Sequence, residues 1–361
     1  MKILQIINSL YRSGGAEKFV TDLAIAQAQL PDIEVEVLNI IKPYNEDYTD
    51  LLHNYGIKTY VLSKSLYSPL NVIRLARFIR KKHFDIIHVH LFPSLYWTAL
   101  ATQISSNSPK LIYTEHSTKN KRRGKFLFRI LDSFIYKQYH SICAISTAVR
   151  SQLQKQIGSS SNISIIPNGI NVKAIQNTTP GHIREELSLP PNSILLAMVA
   201  RFVSGKDYHT LFRAMPFLPE NAYLVCLGDG PMLKECITYI HARHLQSRVY
   251  FLGVRSDVIE ILRNTDIIIL STEHEGFSIS MLEAMACKKP FIASAVPGIT
   301  DLVDNIALLF RFQDEQDLAS KINALITDNK LYQVTANKCY KFSLSYDIHT
   351  TANAYLQLYL S

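Results

Sequence analysis

The 361-residue chain contains no C-x-x-C pair, no G-x-G-x-x-G loop and no D-x-D triplet. It also lacks the ~18–20 uninterrupted apolar residues that a membrane-spanning helix needs. Its five cysteines, Cys143, Cys226, Cys236, Cys287 and Cys339, are odd in number and irregularly spaced. Such spacing implies neither a disulfide framework nor a zinc site, and it fits buried or partly buried thiols in a reducing compartment. The missing glycine fingerprint argues against a nicotinamide dehydrogenase, which also needs an acidic residue at the end of its second strand. "VSGKD" (203–207) resembles the end of a Walker loop, yet the earlier glycine and the following Ser or Thr are absent, so it is no P-loop. The start, "MKILQIINSL", has a single lysine before its apolar stretch and no small-residue cleavage site. It reads as a first strand and predicts a cytoplasmic protein.

What the sequence does contain is a long α/β alternation. A hydrophobic fraction of 47% over this length is enough for two cores. Short Ile- and Val-rich runs predict strands at 2–8, 34–40, 59–62, 85–90, 111–116, 141–146 and 163–167, with helices at 16–29 and 69–83 among them. "PNGINVKAIQNTTPGH" (167–182) breaks the pattern with Pro, Asn and Gly and is expected to be a linker. The alternation then restarts, with strands at 194–200, 222–228, 249–253, 266–270, 290–294 and 307–310 and a closing helix at 347–360. Strands alternating with helices mean parallel, doubly wound sheets. The expected fold is two Rossmann-like domains, 1–168 and 169–344, facing a central cleft, with the closing helix (345–361) crossing back onto the first. Charge is uneven: residues 1–170 hold 21 Lys and Arg against 11 Asp and Glu, whereas residues 171–361 hold 17 against 19. The basic half points to an anionic partner.

"EHEGFSISMLEAMACKKP" (273–290) places Glu275 and Glu283 eight positions apart, the second inside an apolar run. A carboxylate in such a run is rarely buried without a partner. If 275–283 were wholly helical, the rise of ~1.5 Å per residue would separate the two by roughly 12 Å, about the span from sugar to ribose in a nucleotide sugar. A helix N-terminus near 276–280 would offer free N–H groups to the diphosphate between them.

This stretch resembles the E-x7-E signature of retaining glycosyltransferases of the GT-B family 4. "GGAE" (14–17), "HVH" (88–90), "TEHS" (114–117), "IIPNGIN" (165–171), "ARFVSGKD" (200–207), "LGDGP" (227–231) and "FLGVRSDV" (251–258) follow in the family's order. The resemblance covers nearly the whole chain, with its more specific motifs in the C-terminal half. It implies that Arg201 and Lys206 stabilise the charge of a departing nucleoside diphosphate. Taken alone they are an ordinary surface pair after a strand. It further implies that Glu275 binds the donor sugar and Glu283 the ribose, with backbone around Gly276, Phe277 and Ser278 near sugar or phosphate. Gly253, Val254 and Arg255 would meet the base through main chain, and Gly14 and Gly15 would lie against phosphate and acceptor. His116, which ends a strand, is the histidine expected beside the transferred sugar; His88 and His90 alternate on a buried-looking strand and read as core residues, or as residues behind those that touch a ligand, rather than as ligands.

The predicted function is therefore a retaining transfer of a hexose or N-acetylhexosamine from a nucleotide diphosphate sugar, with UDP the first choice. The acceptor would be a glycan or polyprenyl-linked glycan of surface polysaccharide synthesis. Since no D-x-D is present, metal independence is expected, with no cofactor beyond the UDP-sugar co-substrate. No nucleic-acid partner is expected. The segment 119–137 pairs a basic cluster with an apolar helix and predicts docking on an anionic membrane at the inner face, against the plain reading of a buried helix after a solvated turn. The chain departs from the family at Lys288, Pro297 and Asp207, where glycine is frequent. A sugar-nucleotide epimerase of the same architecture and a non-catalytic nucleotide-sugar-binding protein are the alternatives; the first needs no acceptor and the second turns nothing over.

Overall fold

A computed structural model describes residues 1–12, 14–43, 47–117, 126–158, 163–275 and 277–361. The chain divides into two compact units, Met1–Gly169 with Ile348–Ser361, and Ile170–Asp347.

The first unit carries β1 (Lys2–Ile7), β2 (Glu34–Ile41), β3 (Lys58–Ser63), β4 (Ile86–His90), β5 (Lys110–Glu115), β6 (Ser141–Ala144) and β7 (Ile163–Ile165). They form one parallel sheet in the order β3-β2-β1-β4-β5-β6-β7. Helices cover a parallel sheet on both faces, so its strands are apolar without alternation. In β1, Ile3, Leu4, Ile6 and Ile7 are all buried. The closing helix, Ile348–Leu360, belongs to this unit and buries Ile348, Tyr355 and Tyr359.

The second unit carries β8 (Ile194–Val199), β9 (Ala222–Leu227), β10 (Val249–Gly253), β11 (Ile267–Leu270), β12 (Phe291–Ser294) and β13 (Leu308–Phe310), in the order β10-β9-β8-β11-β12-β13 and again parallel. Both sheets reverse direction of growth beside their first strand, between β1 and β4 and between β8 and β11. In open α/β sheets, ligands bind outside the carboxyl ends of the strands at such switch points.

Two local expectations change. Residues 167–182 are not simply a linker. Asn171 caps a helix, Val172–Asn177, by accepting from the Ala174 N–H at 2.9 Å, and the buried Val172 and Ile175 anchor that helix in the second unit. The Pro-Asn-Gly signal marked a helix start. Lys288, for its part, takes the left-handed conformation usual for glycine after a helix, at φ +57°. Its ammonium lies 4.5 Å from the centre of the Tyr340 ring, a cation–π contact worth ~0.5–1 kcal/mol that offsets part of the strain. Among the described residues no helix is long and apolar enough to cross a membrane.

Candidate active site

The second unit gathers most of the expected residues at the carboxyl edge of its sheet. Arg201 leaves β8 with its side chain exposed, while its neighbours are fixed. Ala200 N–H donates to Leu227 carbonyl at 3.1 Å and Phe202 N–H to Asp229 carbonyl at 3.0 Å. The Phe202 ring stacks on Tyr208, centres 4.0 Å apart. "LGDGP" allows this clasp. Gly228 sits at φ +137°, and a Cβ there would come within 2.1 Å of the Ala200 carbonyl oxygen. Only glycine fits so close a backbone approach.

Lys206 is held by a second clasp between the loops after β8 and β11. Lys206 and Thr272 form an antiparallel bridge, Asp207 N–H donates to Ser271 carbonyl at 3.0 Å, and Glu273 N–H to Gly205 carbonyl at 2.9 Å. Asp207, a departure from the family pattern, caps the helix Tyr208–Ala214 by accepting from Thr210 N–H at 3.1 Å. At the end of this clasp the Lys206 ammonium pairs with the Glu275 carboxylate, both side chains about one-fifth exposed at 19%.

The span between the two glutamates is not wholly helical. The helix runs Ile279–Ala286 and starts after Ser278, whose hydroxyl accepts from Met281 N–H at 3.3 Å. Glu275 therefore lies in the preceding loop, and the roughly 12 Å estimate for a continuous helix does not apply. Glu283 sits in the helix with only 8% exposure. Phe277 is buried against Tyr346, ring centres 5.1 Å apart, so its side chain is committed to packing. Gly276 lies outside the described residues. A residue that sequence reasoning did not single out for the site is Gly298: at φ +87°, a Cβ there would come within 2.0 Å of the Glu275 carbonyl oxygen. The sequence signal was the lone glycine of "AVPGI", which fixes where Glu275 can sit.

At the end of β10, Gly253 has φ +67° and its carbonyl accepts from Gly228 N–H at 2.8 Å. Val254 is exposed. The Arg255 guanidinium is occupied on both sides, by Glu186 at 2.9 and 3.1 Å and by Asp257 at 2.8 and 2.7 Å. Its hydrogen bonds to the accepting carboxylates of Asp257 first and Glu186 second hold its pKa above the ordinary arginine range. Its side chain is thus structural, and what the segment offers a ligand is backbone.

The first unit holds Gly14, Gly15 and His116. Gly14 is the N-cap of the helix Gly15–Ala28 in an extended conformation, φ −107°, so no unusual dihedral demands glycine. Instead the Glu17 carboxylate occupies the space a Gly14 Cβ would fill. His116 follows β5, with its ring 5.5 Å from Phe19. Its Nε2 lies 2.9 Å from Nδ1 of the fully buried His90. Behind it runs a continuous polar chain. His90 Nε2 meets Gln5 Oε1 at 2.8 Å, Gln5 Nε2 donates to Gln27 Oε1 at 2.7 Å, and Gln27 Nε2 donates to the Tyr359 hydroxyl at 3.0 Å. Tyr359 meets His88 Nδ1 at 2.7 Å, and His88 Nε2 meets Thr114 at 2.7 Å.

Burial pushes all three histidines below their usual 6.5, His116 to about 3. The unfolded chain therefore binds more protons than the folded one as pH falls below 6.5, so stability is full above that pH and is lost on acidification. Each buried histidine contributes up to ~1.4 kcal/mol per pH unit. Urea midpoints should fall between pH 7.5 and 5, and His116→Gln should flatten that slope; a midpoint independent of pH would contradict neutral burial.

The model of glycosyl transferases group 1 matches residues 181–342, and that of glycosyltransferase family 4 matches residues 13–174. The chain is 26% identical, over 91% of its length and 92% of the relative's, to the N,N'-diacetylbacillosaminyl-diphospho-undecaprenol alpha-1,3-N-acetylgalactosaminyltransferase of Campylobacter jejuni. It is 27% identical, over 86% of its length and 84% of the relative's, to the UDP-Gal:alpha-D-GlcNAc-diphosphoundecaprenol alpha-1,3-galactosyltransferase of Escherichia coli. Its fold is similar to the crystal structure of Anabaena Alr3699/HepE in complex with UDP and glucose, with a TM-score of 0.85, 22% identity and 99% of each chain covered. Together the two matched halves, the two sheets and these relatives make the chain a glycosyltransferase of the GT-B fold, and it belongs to glycosyltransferase family 4.

Proposed function

We propose that the chain transfers a hexose or N-acetylhexosamine, with retention and without a metal, from a UDP-sugar to a polyprenyl-diphosphate-linked glycan. The observation that carries the donor side is the clasp that holds Lys206 beside Glu275, with Arg201 on the neighbouring fixed backbone. Breaking the bond from the anomeric carbon to phosphate leaves negative charge on the diphosphate. Lys206, already held in place by the clasp, would stabilise that charge with little reorganisation at the moment of reaction, and Arg201 would add a second positive charge. Lys206 must exchange Glu275 for phosphate when the donor binds, which releases the Glu275 carboxylate to accept from sugar hydroxyls. Glu283 would accept from the ribose hydroxyls. The acceptor hydroxyl would attack the face the phosphate leaves, with a phosphate oxygen taking its proton, so that the donor's anomeric configuration is kept.

The acceptor assignment is supported by the two relatives whose printed names specify undecaprenol-linked acceptors. A UDP donor is supported by the UDP in the structural neighbour and in one relative's name. Docking on an anionic inner membrane face is supported by the helix Phe126–Tyr136, where Ile130, Leu131 and Phe134 are exposed at 55%, 42% and 58%. The basic cluster 119–125 lies outside the described residues.

A thermal-shift panel of UDP, GDP, ADP and their common sugars tests the donor, because a ligand of the folded state raises the melting point by mass action. UDP and one UDP-sugar should stand out, and the shift should be lost in Glu283→Ala and Lys206→Ala. Lys206→Ala should also cut transfer by ~10²–10³-fold, the usual loss of one charge-stabilising donor. Equal shifts with all three nucleotides, or none, would contradict the assignment. In flotation with vesicles containing anionic lipid, the protein should rise at low salt and less at high salt. Replacing Ile130 and Phe134 by serine should abolish the association; unchanged flotation of that variant would rule out this helix as the contact.

A further inference from the structure

We infer that the helix Leu70–Lys82 of the first unit is a second membrane contact, which docks on the headgroups of anionic lipid. This goes beyond the docking proposed above for the helix Phe126–Tyr136, and its test separates the two. Residues 51–84 hold seven Lys and Arg and no Asp or Glu. Side chains three and four positions apart share a side of a helix. Asn71, Leu75, Ala76 and Ile79 accordingly form one buried face, while Leu70, Ile73, Arg74, Arg77, Arg80 and Lys81 share the exposed one. Arg77, Arg80 and Lys81 make no ion pair among the described residues. Leu70 and Ile73 are 54% and 44% exposed, and Tyr67, just before the helix, is 66% exposed. The loop that presents Tyr67 is fixed from within. Nδ2 of the buried Asn71 donates to the Ser65 and Leu66 carbonyls at 2.9 and 3.2 Å, and Trp97 Nε1 donates to the Leu66 carbonyl at 2.8 Å.

Single apolar residues on a surface are ordinary. Three of them at the head of a helix whose exposed side is otherwise cationic, with no carboxylate in the segment, match a bilayer interface. Tyr67, Leu70 and Ile73 would enter at headgroup level, while the Arg and Lys stems lie along the interface with their charges on lipid phosphate. A soluble polyanion calls for the cations but gives no reason for the exposed apolar turn. The helix Ser94–Gln103 packs against both Leu70–Lys82 and Phe126–Tyr136. The crossovers from β3 to β4, β4 to β5 and β5 to β6 all advance in one direction, and right-handed connections place their three helices on one face of the sheet. One bilayer can therefore meet both docking helices. The second contact forms within a protein already bound by the first, so two weak contacts reinforce each other and fix an orientation that either alone leaves free. The first turn of Leu70–Lys82 follows the carboxyl end of β3, the edge at which an open α/β sheet takes its ligands. Docking there brings the bilayer beside the edge that a polyprenyl-linked acceptor has to reach.

The test is binding of the full-length protein to vesicles of phosphatidylcholine with and without phosphatidylglycerol. Two double variants probe the helix, Arg77→Gln with Arg80→Gln, and Tyr67→Ser with Leu70→Ser. All four side chains are exposed, so melting temperatures should stay at the wild-type value. The arginine pair should weaken binding to the anionic vesicles roughly thirtyfold and lower its dependence on salt. The Tyr67 and Leu70 pair should weaken it while leaving the salt dependence in place. Lys330→Gln with Lys341→Gln removes the same charge from an exposed helix of the second unit and should leave binding as in wild type. Wild-type binding by the arginine pair, or an equal loss in the Lys330 and Lys341 pair, would overturn the inference. It would equally fall if the arginine pair bound vesicles normally but eluted early from immobilised heparin, which would assign the face to a soluble polyanion. Ile130→Ser with Phe134→Ser, run in parallel, separates the two helices. Loss in that variant alone would leave the earlier docking helix standing and overturn this one, whereas loss in the arginine pair alone would support this helix and remove the other.

Discussion

The ion pair between Lys206 and Glu275 is the contact on which the proposed donor site depends. It ties the loop after β8 to the loop after β11, the two strands that flank the switch point of the second sheet. Backbone bonds at Asp207 and Glu273 close the same joint, so neither charge is borne on a flexible tip. Two glycines permit the geometry from either side. Gly228 lets the turn after β9 lie against Ala200, and Gly298 lets the turn after β12 lie against the carbonyl of Glu275. Chemistry that relies on fixed charge needs such a rigid frame, since a cation that must be ordered during reaction loses much of its advantage.

The first unit solves a different problem. Its sheet buries histidines and glutamines that would each be unfavourable alone, and it satisfies them in series. The closing helix is part of that series through Tyr355 and Tyr359, with the Tyr355 hydroxyl 3.0 Å from Thr114. The return of the chain to its first unit thus completes a polar core as well as an apolar one. The same chain ends at the ring of His116, so one set of groups satisfies all three neutral histidines.

Strands were the most legible feature, because a parallel sheet buried on both faces writes itself as continuous Ile and Val runs such as "KILQII" and "IIIL". The helix Ile279–Ala286 was visible in "SISMLEAMA", but its start was not, since only the Ser278 cap decides that Glu275 stays outside it. Asn171 misled for a related reason, as the same residue types serve loops and helix caps. The roles of Gly228 and Gly298 depend on backbone carbonyls distant in sequence, which no local pattern encodes. His88 and His90 read as core histidines and are buried; that they form a chain ending at His116 required the register of β4 against β5. The full pairing of the Arg255 side chain is invisible to motif reading because one of its two partners, Glu186, lies 69 positions away.

The central claim is that Glu275 and the diphosphate compete for Lys206. Affinity of Glu275→Gln for UDP, by titration calorimetry beside wild type, tests it most directly. Removing the carboxylate frees Lys206, so UDP should bind more tightly, while sugar transfer should slow because a sugar contact is lost. Weaker UDP binding in Glu275→Gln would contradict the account, since it would mean that the carboxylate assists the diphosphate rather than yielding to it.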